Sequence, residues 1–373
     1  MKNKIFNYDF LVVGAGLIGA LTALRLSHSN YKVLVIDKKN QPPKDNRTLA
    51  VNANSKDFLE QLGLWKKLKS RPEPINKIEI SDSTHMTPLV FENDNEPMGN
   101  VIFNYELLTT AQEALMKKKI LFYNIDLPLT DILKGKIIQI DNKKYRFKHP
   151  ILCLGKNFIN KKIINKHTFV KNHKSYVGFF KHTKRHNQTA YEIFTTHGPL
   201  AILPSPHMSK KVSTFIYSSN KISSYKNIKV LINKNFNSSH GKLLFNKKYY
   251  QFEILPHLSK PQSYNFFLIG DALRSIHPVA GQGWNLGIKD IQQLMTLLGT
   301  HDLNSQNLIK TFYNYRSIES FGYLLFTNIL NSLYENQNPL TKLLINFGFK
   351  SLSSSPHLRS IFIKQAMGRL NLI

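Results

Sequence analysis

The feature that most constrains this chain is a strand–glycine loop–helix–strand unit at its start. Phe10-Leu-Val-Val13 is an unbroken apolar run, the pattern of a parallel strand buried on both faces. Gly14-Ala15-Gly16-Leu17-Ile18-Gly19 follows, a G-x-G-x-x-G. Leu17, Ala20, Leu21 and Leu24 then fall at i, i+3, i+4 and i+7, which predicts a helix. Lys32-Val-Leu-Val-Ile36 predicts a second strand, closed by Asp37. Asp37 stands 21 residues after Gly16, the spacing of an acid that meets a ribose 2′-hydroxyl. In such a unit Gly14 permits the tight turn, Gly16 lets a pyrophosphate approach the backbone, and Gly19 lets helix pack on strand. The free N–H groups that open the helix face the phosphates. The unit predicts a dinucleotide site, and by itself it admits NAD or FAD.

A second stretch completes half of a ligand site. In FLIGDALRSIHPVAGQGWNLGIKD, Phe267 to Asp290, an apolar run ends in Gly270-Asp271. His277-Pro278 and the glycines Gly281, Gly283 and Gly287 follow. Ile291, Leu294, Met295 and Leu298 then repeat at helical spacing. Glycine lets backbone come close to something bulky. An acid fixed at a strand end suits a ligand that carries hydroxyls.

Composition sets the outer bounds. A chain of 373 residues exceeds what one small core usually serves, so two domains are expected. Lys plus Arg number 51 against 23 Asp plus Glu, a net charge of +28. The excess is mostly lysine spread along the chain. No dense arginine block marks a nucleic-acid arm, and no nucleic-acid partner is expected. A positive surface also favours anionic lipid. Cys153 is the single cysteine, which excludes an internal disulfide and fits a reducing compartment. The fourteen histidines show no ligand spacing, so no metal site is expected. Lys2 and Lys4 before the apolar Phe10–Leu24 imitate a signal peptide, but Asp9, the glycines and the lack of an A-x-A site oppose that reading.

Several further segments carry a resemblance: Arg47-Thr-Leu-Ala50, Phe58-Leu-Glu-Gln-Leu-Gly-Leu-Trp65, Pro74-Ile75 with Ile80-Ser-Asp82, Gly198-Pro-Leu-Ala-Ile-Leu-Pro204, and HPVAGQGWNLGIKD above all. With the N-terminal unit, they make the chain resemble the aromatic-hydroxylase group of FAD monooxygenases. Within that group it is most similar to the UbiH/VisC-type hydroxylases of ubiquinone biosynthesis. The resemblance implies FAD, with Asp271 on its ribityl hydroxyls and the Pro278–Gly281 loop beside the flavin. The backbone around Gly283, Trp284 and Asn285 would meet the pyrimidine edge. N–H groups opening a helix suit the anionic reduced ring. Arg47 would lie near the flavin or a pyridine nucleotide. His277 reads as structural or as an acid–base group, and Trp284 as a shield or a corner filler; no side chain is assigned a catalytic role. The family's middle Asp-Gly motif is altered here. In Ile151-Leu-Cys-Leu-Gly-Lys-Asn-Phe158, Gly155 remains while Leu154 and Phe158 occupy the acid and serine positions. Leu107–Ala111 lacks the family's arginine. These changes bear on reduction by NAD(P)H.

The resulting expectation is an α/β chain. A Rossmann-like FAD-binding domain comprises residues 1–74, 99–166 and 262–300. A sheet-rich substrate domain comprises 75–98 and 167–261, and a helical C-terminal region comprises 301–373. Strand-like runs cover Ser175–Lys181, Ala190–Thr195 and Val212–Ser218. Leu324, Leu325, Ile329, Leu333, Leu343, Leu344 and Phe347 give the C-terminal region an apolar face, for domain packing, a prenyl tail or a bilayer. Ser351–Ser355 predicts a short break. The implied reaction is hydroxylation of a prenylated phenol in ubiquinone biosynthesis, through a flavin hydroperoxide formed from NAD(P)H and O₂. Other ubiquinone-biosynthesis proteins and an anionic membrane surface are the implied partners, at the cytoplasmic side of the inner membrane. The alternatives are an impaired flavin-binding member that serves structurally, and an NAD-dependent dehydrogenase.

Overall fold

The computed structural model describes residues 5–39, 47–82, 87–158, 160–169, 173–207, 209–219, 224–277, 281–305, 307–335 and 338–370, the side chains of 247 and 248 excepted. Among them the helices are α1 (Leu17–His28), α2 (Ala53–Gln61), α3 (Asn104–Lys117), α4 (Leu129–Gly135), α5 (Tyr225–His240), α6 (Gly283–Thr300), α7 (Asn307–Glu335), α8 (Pro339–Ser354) and α9 (Pro356–Ala366).

The strand at Ile5–Val13 lies at the centre of a mostly parallel sheet. In order, the sheet runs Phe267–Leu268, Lys143–Leu152, Ile5–Val13, Val33–Ile36 and Leu121–Phe122. Ile137–Ile140 pairs antiparallel on Lys143–Leu152. Phe10, Leu11, Leu34, Val35, Ile151, Leu152, Phe267 and Leu268 are fully buried, as helices on both faces of a parallel sheet require. α6 lies close to α1 because glycine leaves room. A Cβ at Gly287 would sit 2.6 Å from Ile18 Cδ1, and one at Gly270 would sit 3.1 Å from Ile18 Cγ2. The predicted α6 face is buried at Ile291, Leu294 and Leu298, while Met295 is half-buried.

A seven-stranded sheet is inserted into this core. Its order is Leu243–Ile254, His173–His182, Val212–Ser219, Gly198–Pro204, Thr189–Thr195, Lys77–Asp82 and Leu89–Glu92. All three predicted runs are strands in it. α5 packs Ile228, Ile232 and Phe236 on one face, against Phe180, Phe215 and Tyr217. Two three-stranded sheets stand beside these: Thr48–Asn52 with Gly99–Phe103 and Glu73–Ile75, and Ile164–Thr168 with His257–Pro261 and Arg274–Ser275. The chain is thus a Rossmann-like α/β core with a sheet-rich insertion and a helical C-terminus.

The predicted break at Ser351–Ser355 is corrected. α8 continues through Ser354, and only Ser355 leaves helical geometry. Its side chain accepts from Leu358 N and caps α9, with Pro356 at the first turn. Serine loses little in the last turn of a helix, so the serine run marks a cap rather than a linker.

The inserted sheet hides three histidines. His182, His186 and His240 are buried, with ring centroids 6.1 Å (His182–His186) and 4.7 Å (His182–His240) apart. Burial, then neighbouring His182, pushes His186 and His240 down to about 4. They are therefore neutral when folded, whereas in the unfolded chain they bind protons below about pH 6.5. Stability should be complete above pH 6.5 and fall between pH 6.5 and 4, by up to about 1.4 kcal/mol per pH unit for each histidine. Urea unfolding across that range checks this. His240→Gln should flatten the slope, and an unchanged slope would contradict the assignment.

Candidate flavin site

The dinucleotide loop shows three different reasons for its three glycines. Gly14 has φ +101°, and a Cβ there would meet the Cys153 carbonyl at 2.6 Å. A Cβ on Gly19 would lie 1.9 Å from the Gly14 carbonyl oxygen. Gly16 caps α1, without a side-chain cap bond, and nothing lies within 4 Å of the Cβ it lacks. The first two glycines answer to the protein and the third faces open space. Asp37 sits at the end of the next strand and braces the loop: Ala15 N–H donates to its Oδ2 at 2.6 Å, and Lys39 N–H to its Oδ1 at 2.8 Å. From α3, buried Gln112 donates Nε2–H to the Ala15 carbonyl at 2.7 Å. Gln112 lies one residue beyond the segment that lacks the family's arginine.

The second half-site begins at the neighbouring strand end. Ile269 N–H donates to the Leu152 carbonyl at 3.2 Å, and Cys153 N–H to the Val13 carbonyl at 2.8 Å. The loops after Val13, Leu152 and Leu268 therefore lie side by side at the carboxyl edge of the sheet, where open α/β sheets bind ligands. Asp271 stands in the last of them, in a turn of 3₁₀ helix. The residue is exposed to solvent. The surrounding protein raises its pKa through burial, opposed first by Lys156 and then by Arg274. His257 Nε2 lies 3.1 Å from the Asp271 carbonyl.

Farther on, Gly281 has φ +61° and abuts Ala50, while Gly283 opens α6 with nothing within 4 Å of a Cβ. No side chain caps the helix, so its first N–H groups are available. The Asn285 side chain is engaged structurally. Its Nδ2 donates to Ala50 O at 3.0 Å, and its Oδ1 accepts from Asn52 N–H at 3.3 Å. Trp284 packs on the main core with its buried Nε1–H unpartnered. Pro278 lies outside the described residues. His277 is fully buried beside His173, 3.2 Å between ring nitrogens, and burial pushes it down to about 3. A histidine held uncharged there fits the structural reading. The open backbone at Gly16 and Gly283, the uncapped α6 and the orphaned indole fit a flat, anionic, hydroxyl-bearing group such as FAD.

Arg47 and the altered middle motif meet on another side. Arg47 lies 5.0 Å from the Phe252 ring centroid, and Lys156 Nζ lies 5.8 Å from the same ring. Leu154 and Phe158, where the family has acid and serine, are half-buried against the main core.

An apolar cavity of about 690 Å³ begins at the flavin loop. Ile276, Gly281, Gln282 and Asn285 line its inner end, the inserted sheet one wall, and α7, α8 and α9 the other. Leu344, Leu358 and Ile361 line it and are also exposed, at 47%, 41% and 38%. The cavity therefore opens between the last two helices.

A sequence model of the FAD binding domain family matches residues 7–117 and 253–317. The ubiquinone hydroxylase UbiM of Neisseria meningitidis is 24% identical, covering 96% of this chain and 84% of its own length. The ubiquinone biosynthesis monooxygenase COQ6 of Caenorhabditis elegans is 23% identical, covering 95% and 94%. The solved p-nitrophenol 4-monooxygenase of Pseudomonas putida superposes with a TM-score of 0.73 at 13% identity, covering 99% and 100%, a likeness of fold. Together these similarities support the class of FAD-dependent monooxygenases. The matched domain and the hydroxylase relatives support a UbiH/COQ6-type FAD-dependent hydroxylase within it.

Sequence reasoning missed a buried ion cluster behind the flavin loop. The Asp290 carboxylate accepts from Gly270 N–H at 2.9 Å, from Arg274 Nη1 at 2.8 Å and from Arg316 Nε at 2.6 Å. Asp290 closes the stretch singled out above, and an acid one turn past Gly287 on a buried face was the available signal. The glycines give a direct test. Gly19→Ala should destabilise the protein by roughly 3 kcal/mol or more, because backbone meets the new methyl. Gly16→Val should unfold within about 1 kcal/mol of wild type yet bind FAD at least about tenfold more weakly. Thermal melts without ligand and flavin titrations separate the two, and equal effects in both assays would refute the distinction.

Proposed function

We propose that this protein is an FAD-dependent monooxygenase that hydroxylates the ring of a prenylated phenol in ubiquinone biosynthesis, with NAD(P)H as reductant and O₂ as co-substrate. The observation that carries the substrate class is the apolar cavity, open at the flavin loop and again between α8 and α9. The phenol head lies at the Gly281–Asn285 end, and the prenyl tail runs between the inserted sheet and the C-terminal helices. Bound FAD supplies the oxygen-transfer chemistry, so no side-chain nucleophile is required. The protein's residues supply the rest. Gly16 and α1 receive the pyrophosphate, Asp271 holds ribityl hydroxyls, and the N–H groups of Gly283, Trp284 and Asn285 hold negative charge at the ring edge. Apolar walls exclude water. In this reading residues 1–74, 99–166 and 262–300 form the FAD domain and 75–98 with 167–261 the substrate domain. The hydroxylase relatives favour this over a structural member or a dehydrogenase.

The cavity mouth also supports a place of work. Ile318, Phe321, Leu325, Leu340, Leu343 and Phe347 of α7 and α8 are 49–69% exposed. No helix among the described residues is long and apolar enough to cross a membrane. With a net charge of +28, such a surface suits peripheral binding to an anionic bilayer, with the tail drawn from the lipid. The site of action would be the cytoplasmic face of the inner membrane.

Complementation of a hydroxylase-deficient bacterium tests the function. Wild type should restore the quinone, while Ala201→Trp, which fills the cavity from the sheet side, should accumulate the unhydroxylated prenyl phenol with FAD still bound. Restoration by both would remove the cavity from the account. Flotation with anionic vesicles should succeed at low salt and weaken at high salt. Phe347→Lys should reduce it, and flotation indifferent to both would refute the membrane surface.

A further inference from the structure

One polar pair stands in the apolar cavity near the flavin loop. Tyr323 on α7 and Gln365 on α9 both line the cavity. Tyr323 packs against Ile276 and Leu286, which flank the flavin loop on either side. The end of the chain is tied to the same region. The Met367 carbonyl accepts from Asn54 N–H at 3.1 Å, and the Leu370 carbonyl from Lys289 Nζ of α6 at 3.2 Å. Gln365 Nε2 donates to the Tyr323 hydroxyl oxygen. Two bonding capacities are then left over. Gln365 Oε1 is buried without a partner. Among the described residues the Tyr323 O–H proton has no acceptor, since the hydroxyl serves Gln365 through its oxygen. Burial, then Glu319, pushes Tyr323 up to about 12, so the hydroxyl keeps its proton and remains a donor. Asn285 and Thr327 also line the cavity, but their bonds go to the backbone carbonyls of Ala50 and Tyr323. A buried acceptor without a partner is costly. A ligand hydroxyl would relieve that cost and use the free Tyr323 donor as well.

We propose that Tyr323 and Gln365 bind the ring hydroxyl of the phenol, with Tyr323 donating to the phenol oxygen and the phenol O–H donating to Gln365 Oε1. The inference rests on the hydroxylase reading above and names the group by which the substrate ring is held. The amide carries its donor and its acceptor on one carbon. A hydroxyl placed between Tyr323 and Oε1 therefore closes a ring of three hydrogen bonds, in which each hydroxyl donates once and accepts once. The arrangement selects a free phenol. An aryl methyl ether accepts from Tyr323 but has no proton for Gln365, and its methyl group occupies the place of that bond. A quinone carbonyl likewise leaves Oε1 unpaired. A site built for a hydroxyl rejects analogues that lack it, because its own polar atoms are then left buried and unsatisfied. Tyr323 and Gln365 are thus specificity residues, and by fixing the hydroxyl they also fix which ring carbons face the flavin loop.

Equilibrium dialysis of the FAD-loaded protein against three ligands tests the pair: a geranyl phenol, its methyl ether, and geranylbenzene, which lacks the oxygen. Wild type should bind the phenol at least about tenfold more tightly than either analogue. Gln365→Met and Tyr323→Phe should each weaken phenol binding roughly tenfold and leave geranylbenzene binding unchanged. Gln365→Met should also bring the methyl ether level with the phenol. Phenol binding unchanged in either variant would overturn the proposal. So would equal weakening of phenol and geranylbenzene, the mark of a purely structural pair. A wild type that binds phenol and geranylbenzene equally, yet still hydroxylates the phenol, would overturn the pair and keep the hydroxylase reading. A wild type that neither binds nor hydroxylates the phenol would defeat both.

Discussion

The Asp290 carboxylate is the contact on which the rest of the site depends. It is fully buried, and it receives the Gly270 N–H, the Arg274 guanidinium and the Arg316 guanidinium together. Arg274 also donates to the Leu286 carbonyl at 2.6 Å. One acid on α6 thus fixes the strand end before Asp271, the second turn of α6 and the middle of α7. A buried charge is tolerated only when its partners are complete, and removing one partner typically costs about 3–5 kcal/mol. The cluster extends through Glu319 and Lys289 to the Leu370 carbonyl, so the chain's last described residues are tied to the flavin loop.

The N-terminal unit was legible because its information is local. Strand, turn, helix and acid all lie within Phe10–Asp37, although the crowding at Gly14 comes from the distant Cys153 carbonyl. The buried cluster was not legible for the opposite reason. Asp290, Arg274 and Arg316 are 16 and 26 residues apart, and nothing in their local pattern says that their side chains converge. Gln112 is a similar case, 97 residues from the carbonyl it holds. The sequence did not single out Lys156, since the departures from the motif are Leu154 and Phe158. The adjacent strand order, which sequence does not announce, places it between the glycine loop after Val13 and the loop of Asp271.

The C-terminal helices show how far an apolar pattern goes. Leu324 is fully buried and its neighbour Leu325 is 49% exposed. α8 keeps Ile345 inside while Leu343 and Phe347 face out. Helical spacing identifies apolar faces without saying which one meets protein, cavity or lipid. In this chain buried, cavity-lining and exposed apolar residues occur on the same helices. One apolar surface lines the cavity and another is exposed to solvent.

The central claim is that one oxygen atom passes from O₂ to a prenylated phenol bound between the flavin loop and the C-terminal helices. The most direct measurement supplies the purified, FAD-loaded protein with NAD(P)H, a polyprenyl phenol in anionic vesicles and ¹⁸O₂, and reads the product by mass spectrometry. The account predicts a product heavier by a single ¹⁸O, with the tail intact and with much lower yield when the prenyl tail is removed. A product carrying oxygen from water, or NAD(P)H consumed with no hydroxylated product under any tail length, would contradict it.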